Sequence, residues 1–258
     1  MKYVTAFFIA ILVFTIPHQL SAQDSLKQTT VYPVGISLEY GIGNLAVTDE
    51  YISDEKYSGS IPYYRVQWIK SHQDYIYHLS LDYRYSSEIK NYNVSTDIYQ
   101  FTLHQGFSYA GPKFSLFNKD AYLFLGPSTE VYFYFNQQNI AVSGFDYAQS
   151  IAFLMSLGID SDLIYKLANH FNIESSLNVS LLSLGFRMVD MEETDESPVK
   201  LLTLFAGTNA VFRLGIRYYI AQNFSIKAGY LFHLTRISSW DPLLSASDSF
   251  VFTVTYGF

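Results

Sequence analysis

Between Tyr75 and Tyr85 the chain alternates without a break: Tyr75, Tyr77, Leu79, Leu81, Tyr83 and Tyr85 on one parity, Ile76, His78, Ser80, Asp82 and Arg84 on the other. Successive side chains of a strand point to opposite faces, so this segment is apolar on one side and mostly polar on the other. The apolar side is ordered aromatic, aliphatic, aromatic over about eleven residues, which suits a strand crossing a bilayer between aromatic girdles. The period recurs along the chain. Phe224, Ile226, Ala228, Tyr230, Phe232 and Leu234 oppose Ser225, Lys227, Gly229 and His233; Ala210, Phe212, Leu214, Ile216 and Tyr218 oppose Arg213, Gly215 and Arg217. Ile173, Leu177, Val179 and Leu181 alternate with Asn172, Glu174, Ser176, Asn178 and Ser180, and from Phe250 to Phe258 every even residue is apolar.

Ten strands follow, at 32–46, 61–71, 75–86, 96–109, 120–135, 148–164, 171–186, 203–219, 224–236 and 248–258. Short connections fall at 71–74, 165–170 and 220–223, with a longer one at 110–120; long polar ones fall at 47–60, 86–95, 136–147, 186–202 and 236–247. The expected fold is all-β, a transmembrane up-and-down antiparallel barrel. An even strand number places both termini on the short-turn side, which is periplasmic in outer-membrane barrels. Sharing Arg65 and Gln67 with Ser80 and His78 inside the lumen predicts a two-residue turn at His72-Gln73. Setting Arg217 opposite Lys227 predicts a tight three-residue link at Ala221. Gly126-Pro127 interrupts the fifth strand, and a central proline belongs at an edge or bulge, so an eight-strand barrel with extra loop structure is the alternative.

Composition narrows the class. Aromatic residues make up 18% of the chain and charged ones 15%, whereas charged residues alone are about 25% of a typical soluble domain. A net charge of −7 has the wrong sign for nucleic-acid phosphates. Without cysteine there are no disulfides, thiolate metal sites or cysteine nucleophiles. Met1-Lys2, the apolar run from Val4 to Ile16, Pro17 and Leu20-Ser21-Ala22 read as a secretory signal peptide over 1–22. A short periplasmic segment at 23–31 then precedes a barrel at 32–258. The apolar run falls short of the ~20 residues a spanning helix needs.

With the signal peptide, the turn segments from Tyr165 to Phe171 and Tyr218 to Phe224, and the terminal Tyr256-Gly257-Phe258, the whole exported chain resembles bacterial outer-membrane β-barrel proteins. Within that class it is similar to the small porin-like and PorT-like barrels of Bacteroidetes-type bacteria. The resemblance implies a Gram-negative outer membrane with lipid and lipopolysaccharide around the wall. It also implies that the barrel-assembly machinery reads the C-terminal aromatic strand.

Inward parity collects Glu39, Arg65, His78, Asp82, Arg84, Gln100, His104, Glu130, Glu174, Arg213, Arg217, Lys227 and His233. A small barrel is filled by side chains, and buried charges there need partners. Two ion clusters are expected: Glu174 with Arg213, Arg217 and Lys227 toward the periplasm, and Asp82 with Arg84 and Arg65 toward the outside. Tyr75, Tyr85, Phe224, Tyr230, Phe232, Phe250 and Phe258 are the expected membrane-interface aromatics, and Trp68 and Trp240 an anchor and loop packing. Asp49, Glu50, Asp54 and Glu55, and again Asp190 to Glu196, are acidic runs that read as solvated loops without a calcium-loop spacing. Gly41-Ile42-Gly43-Asn44-Leu45-Ala46 fits a loose dinucleotide pattern but lacks the following helix; small residues at a crowded wall explain it better.

The functional expectation is a non-enzymatic envelope barrel with a filled lumen, no cofactor and no metal. Its outer loops would serve binding, adhesion or membrane stabilisation. A narrow passive channel and an accessory barrel of a secretion system are the alternatives. An outer-membrane protease or lipid A-modifying enzyme is a further one, with His233 near Ser238, Ser239 and Asp241 as its base beside a hydroxyl.

Overall fold

The computed structural model describes residues 34–72, 74–91, 94–142, 145–187 and 197–258, with only the backbone of 139–142 and 145–148. The expected signal peptide, the segment 23–31 and the second acidic run lie outside the described residues. The alternating segments form β1 (Gly35–Asp49), β2 (Ser53–Ser71), β3 (Tyr75–Lys90), β4 (Ser95–Ala110), β5 (Phe114–Leu116) and β6 (Lys119–Val142). They continue as β7 (Phe145–Ala168), β8 (Phe171–Arg187), β9 (Val199–Thr203), β10 (Gly207–Ala221), β11 (Phe224–Ile237) and β12 (Leu243–Tyr256). All pairings are antiparallel. β12 returns to β1 over its whole length, from Ile36↔Tyr256 to Asp49↔Leu243, and closes the sheet. β5 is a small flap on β6, and β9 and β10 share one place in the wall, β10 pairing the first half of β8 and β9 its second half. The result is a closed ten-stranded barrel.

The fifth strand is not broken. β6 keeps one register through Pro127, which pairs Ile159 of β7, and on the β4 side the ladder lapses only between Gly106↔Ser128 and Tyr109↔Leu125. The lapse fits the missing proline N–H. Two turn expectations need correction. Arg65 lies opposite Asp82 and Gln67 opposite Ser80, so the β2–β3 register is two residues away from the expected one, with Ser71 opposite Ile76 rather than Asp74. Parity survives because the slip is even. Arg217 does oppose Lys227, but Ala221 pairs Phe224 and the ladder shifts between Tyr219 and Ala221, leaving a two-residue turn. The 110–120 connection is itself a hairpin, with Phe117 and Asn118 both at positive φ (50° and 61°) between Leu116↔Lys119, as a type I′ turn requires.

The largest difference lies at the end away from the termini, called here the far end. The expected loops at 47–60, 86–95 and 136–147 are mostly strand: β1 and β2 are joined by Glu50 to Ile52 alone, β3 and β4 reach Lys90 and Ser95, and β6 and β7 reach Val142 and Phe145. Polarity explains why they read as loops. On the outer face of β1, Ile36, Leu38, Tyr40 and Ile42 are exposed and apolar, and Asn44 follows; β12 carries Tyr256, Phe252 and Phe250, and then Asp248. Beyond that edge the inner face turns apolar. Leu45, Val47, Tyr57, Ile61, Ile89, Ile98, Tyr132, Tyr134, Ala152, Leu154, Leu202, Ile237 and Leu243 form one cluster inside the barrel, every member at most 2% exposed. On β1 and β2 the wall is thus apolar outside and polar inside along one stretch, and polar outside with an apolar core along the next, while Leu244 of β12 and Leu201 of β9 are apolar and exposed.

Register also organises the outer face. Tyr40, Tyr64, Tyr83, Phe101, Phe133, Phe153 and Phe186 stand side by side on seven neighbouring strands. Tyr40 is 5.3 Å from Tyr64, and Tyr64 is 6.5 Å from Tyr83. Tyr40 lies near the start of β1 whereas Phe186 lies at the last turn of β8, so the row climbs along the wall as the tilt of barrel strands requires. Tyr75 stacks on Phe107 at 5.3 Å near the terminal end, Tyr85 stacks on Tyr99 at 4.5 Å, and Tyr230 meets Phe250 at 6.1 Å. Phe224 pairs Tyr256, and Phe232, Phe250 and Phe258 are exposed. Trp68 packs edge-on against Tyr77, while Trp240 donates its Nε1–H to the Ser197 carbonyl and faces Lys200.

Candidate functional site: a charged lumen beneath an apolar plug

Between the apolar plug and the terminal end, inward residues of all ten wall strands converge. Tyr63, Arg65, Asp82 and Arg213 form the centre. Tyr63 donates to Asp82 Oδ2 (3.0 Å), Arg213 donates to the same oxygen (3.1 Å), and Arg65 Nε lies 3.5 Å from Asp82 Oδ1. Glu39 accepts from Thr253 (2.6 Å) and approaches Arg213 and Lys227 at 3.9 and 4.0 Å. Nearer the termini Arg217 makes a bidentate pair with Glu174 (2.5 and 3.0 Å) and also donates to Ser225 and Thr255. Lys227 lies 3.8 Å from Glu174. The expected clusters are therefore one network. Arg213 belongs with Asp82 rather than with Glu174, because its place on β10 is four residues farther from the terminal end than that of Arg217.

Arg84 also leaves its expected partners. It donates to Gln100 at 3.3 Å, covers the Tyr63 ring at 4.8 Å, and contacts His233 Nδ1. The other ring nitrogen of His233 meets Asn209 Oδ1 at 2.6 Å, and Asn209 in turn donates to Glu130. His233 is 3% exposed and directed inward, while Ser238 binds the carbonyls of Phe205 and Ala206. His233 is thus engaged by Arg84 and Asn209, and Ser238 by backbone carbonyls.

Above the apolar plug lies a pair the sequence did not reveal. Arg187 donates to Asp49, both side chains at 0% exposure, with Ser150 and Asn136 completing the group and Tyr51 5.9 Å from the guanidinium. Asp49 thus leaves the first acidic run. Glu55 of that run accepts from Asn91 across the β2–β3 hairpin.

On the opposite wall His78 and His104 stack at 5.0 Å and both direct Nε2 at Asp160, 3.1 Å from Oδ2 and 3.2 Å from Oδ1. Asn178 donates to Asp160 Oδ1 (2.6 Å) and Ser128 (2.9 Å). Neither Asp160 nor Asp162 was among the sequence candidates. Parity through 148–164 was the available signal, since both share the inward face of β7 with Ser156. Glycines make the room. A Cβ at Gly106 would stand 1.8 Å from Asp160 Oδ2, and one at Gly41 would stand 2.8 Å from Val251, which is why the loose dinucleotide pattern is a crowded wall.

With that interior in view, the likeness to solved structures concerns the whole fold. The outer membrane protease OmpT from Escherichia coli superposes with a TM-score of 0.51 at 10% identity, over 92% of this chain and all of that one. The β domain of the Bordetella autotransporter BrkA gives 0.45 at 13% identity, over 87% of this chain and all of that one. The translocator domain of the autotransporter NalP from Neisseria meningitidis gives 0.41 at 13%, over all of this chain and 97% of that one. No family model and no curated protein matches the sequence. The fold is that of outer-membrane β-barrels.

Arg217→Lys tests the pair nearest the terminal end. Lysine keeps the charge but loses the fork that holds Glu174, Ser225 and Thr255 together. A loss of about 1.5–3 kcal/mol in urea-driven unfolding from lipid vesicles is expected.

Proposed function

We propose that the protein is a non-enzymatic, non-conducting barrel of a Gram-negative outer membrane, exported by its signal peptide and assembled through the aromatic terminal strand. Lipid and lipopolysaccharide surround the apolar belt, the terminal end faces the periplasm, and the far hairpins stand outside the cell for binding, adhesion or membrane stabilisation. Kinship with the PorT-like and porin-like barrels rests on the turn segments and on Tyr256-Gly257-Phe258.

The observation that carries this reading is the apolar plug. Thirteen buried side chains, contributed by nine strands, pack into one cluster inside the barrel at the far end, with the buried Asp49–Arg187 pair beyond them. Ions cross a hydrophobic constriction only if it wets, and this one is packed. The exposed hairpins beyond the belt are β-structured and stiffened by that core, which suits a presenting surface better than a pore rim. His233, the one residue offered as a catalytic base, lies beneath the plug.

Planar bilayers test it. Purified protein is expected to insert without unitary conductance, and Tyr132→Ala with Tyr134→Ala is expected to produce channel events by removing two large plug side chains. Steady ohmic conductance of the unaltered protein would sink the proposal in favour of the narrow channel.

A further inference from the structure

We propose that His78, His104 and Asp160 form a site for one transition-metal ion of the Zn2+ class inside the lumen, with water completing its coordination. Their donor atoms, two imidazole Nε2 and a carboxylate oxygen, all lie within 4.8 Å of one another. His78 Nε2 lies 3.1 Å from Oδ2 of the carboxylate and His104 Nε2 3.2 Å from Oδ1, both close to the spacing of about 3.3 Å between two ligands held at 2.0–2.1 Å on a tetrahedral ion. Two histidines and a carboxylate with open positions are a donor set for Zn2+ or Fe2+ and a poor one for Ca2+ or Mg2+.

Two observations point to a cation here. Asp160 Oδ2 is buried and accepts no hydrogen bond, although His78 Nε2 is beside it. Among the described residues no Lys or Arg forms an ion pair with Asp160 or with Asp162, whose Oδ2 is likewise buried and unbonded, whereas Glu39, Asp82 and Glu174 each have one and Glu130 accepts from Asn209. Two buried carboxylates with no Lys or Arg beside them are costly, and a divalent ion held among them offsets both.

The site is also built for it. Gly106 faces His78 across β3–β4, and its missing Cβ leaves the space that Asp160 Oδ2 enters. Asn178 Nδ2 donates to Asp160 Oδ1 and lies 3.1 Å from His104 Nε2, fixing both groups from β8 as residues supporting metal ligands do. A cavity of about 40 Å³ adjoins the three donors, room for a coordinated water. Arg213 and Lys227 share its wall and keep 15% and 13% of their side-chain exposure, so solvent reaches it below the plug.

The test uses the full chain folded in detergent micelles, stripped with EDTA and titrated with Zn2+ and with Co2+. One equivalent of Zn2+ is expected, and Co2+ is expected to give the intense visible bands of a low-coordinate nitrogen–oxygen site. His78→Ala, His104→Ala and Gly106→Ala should each weaken binding by more than roughly 100-fold, while His72→Ala and His170→Ala at the terminal end leave it intact. Heat-modifiable gel mobility reports folding for each variant. Should the lumen variants misfold, X-ray absorption on the Zn2+-loaded unaltered protein decides by counting two imidazoles at the ion. No stoichiometric binding, binding that persists without both histidines, or a spectrum with fewer than two imidazoles overturns the proposal.

Discussion

Asp49→Ala should be the most damaging single truncation in the barrel, lowering unfolding stability by about 3–5 kcal/mol. Asp49 and Arg187 are both at 0% exposure, so neither borrows solvation from water. Removing the carboxylate leaves the guanidinium, among the described residues, with Ser150 as a neutral acceptor and the Tyr51 ring nearby, too little to hold a buried charge. The pair itself need not be stabilising relative to apolar replacements; the damage comes from breaking one half. Two consequences separate these statements. Asp49→Ala should shift the urea midpoint of the heat-modifiable form strongly, and the double variant Asp49→Leu with Arg187→Met should recover most of it. A single variant within 1 kcal/mol of the unaltered protein would mean that Arg187 finds water or another acceptor at the far end.

That pair was illegible in the sequence for a specific reason. Asp49 sits in a run with Glu50, Asp54 and Glu55, and Arg187 ends a strand just before the second acidic run, so both read as solvated ends. What brings them together is closure of the barrel, which sets β1 against β12 and places β8 across the lumen. No local pattern carries that. The inward candidates on β3, β8, β10 and β11 were legible because the lipid-facing parity beside them is apolar almost without exception. Individual partners were less so: Arg84 reaches His233 rather than Asp82, and Arg213 reaches Asp82 rather than Glu174, choices fixed by strand stagger and by side-chain length. The His78–His104–Asp160 group needed three strands and the empty place at Gly106.

The fold itself was legible where one rule held and obscured where the rule inverted. Within the belt, apolar parity means outside. At Leu45, Val47, Tyr57, Ile61, Ile89 and Ile98 it means inside, because the outer face there is polar. A reading that fixes one meaning for the apolar parity ends each strand at the inversion and names the remainder a loop. The strands in fact continue, since a wall with water outside can be stabilised by an ordinary apolar core.

The same inversion makes a charge on the outer face the sharpest test of where the belt lies. Leu81 is 41% exposed, in the middle of the β3 stripe, beside Val66 on β2 and Leu103 on β4. An arginine near a bilayer midplane on a barrel's lipid face costs about 2–4 kcal/mol, falling toward zero at the interface. Leu81→Arg should therefore lower stability in lipid vesicles by that amount. Ser58→Arg, on the outer face of the far β2 segment, should cost less than about 0.5 kcal/mol, as surface changes away from special features do. Measured in the same vesicles, the two variants map the depth of one wall. Equal costs would put both positions in one environment, and the division into a lipid-facing belt and a water-facing crown with its own core would fail.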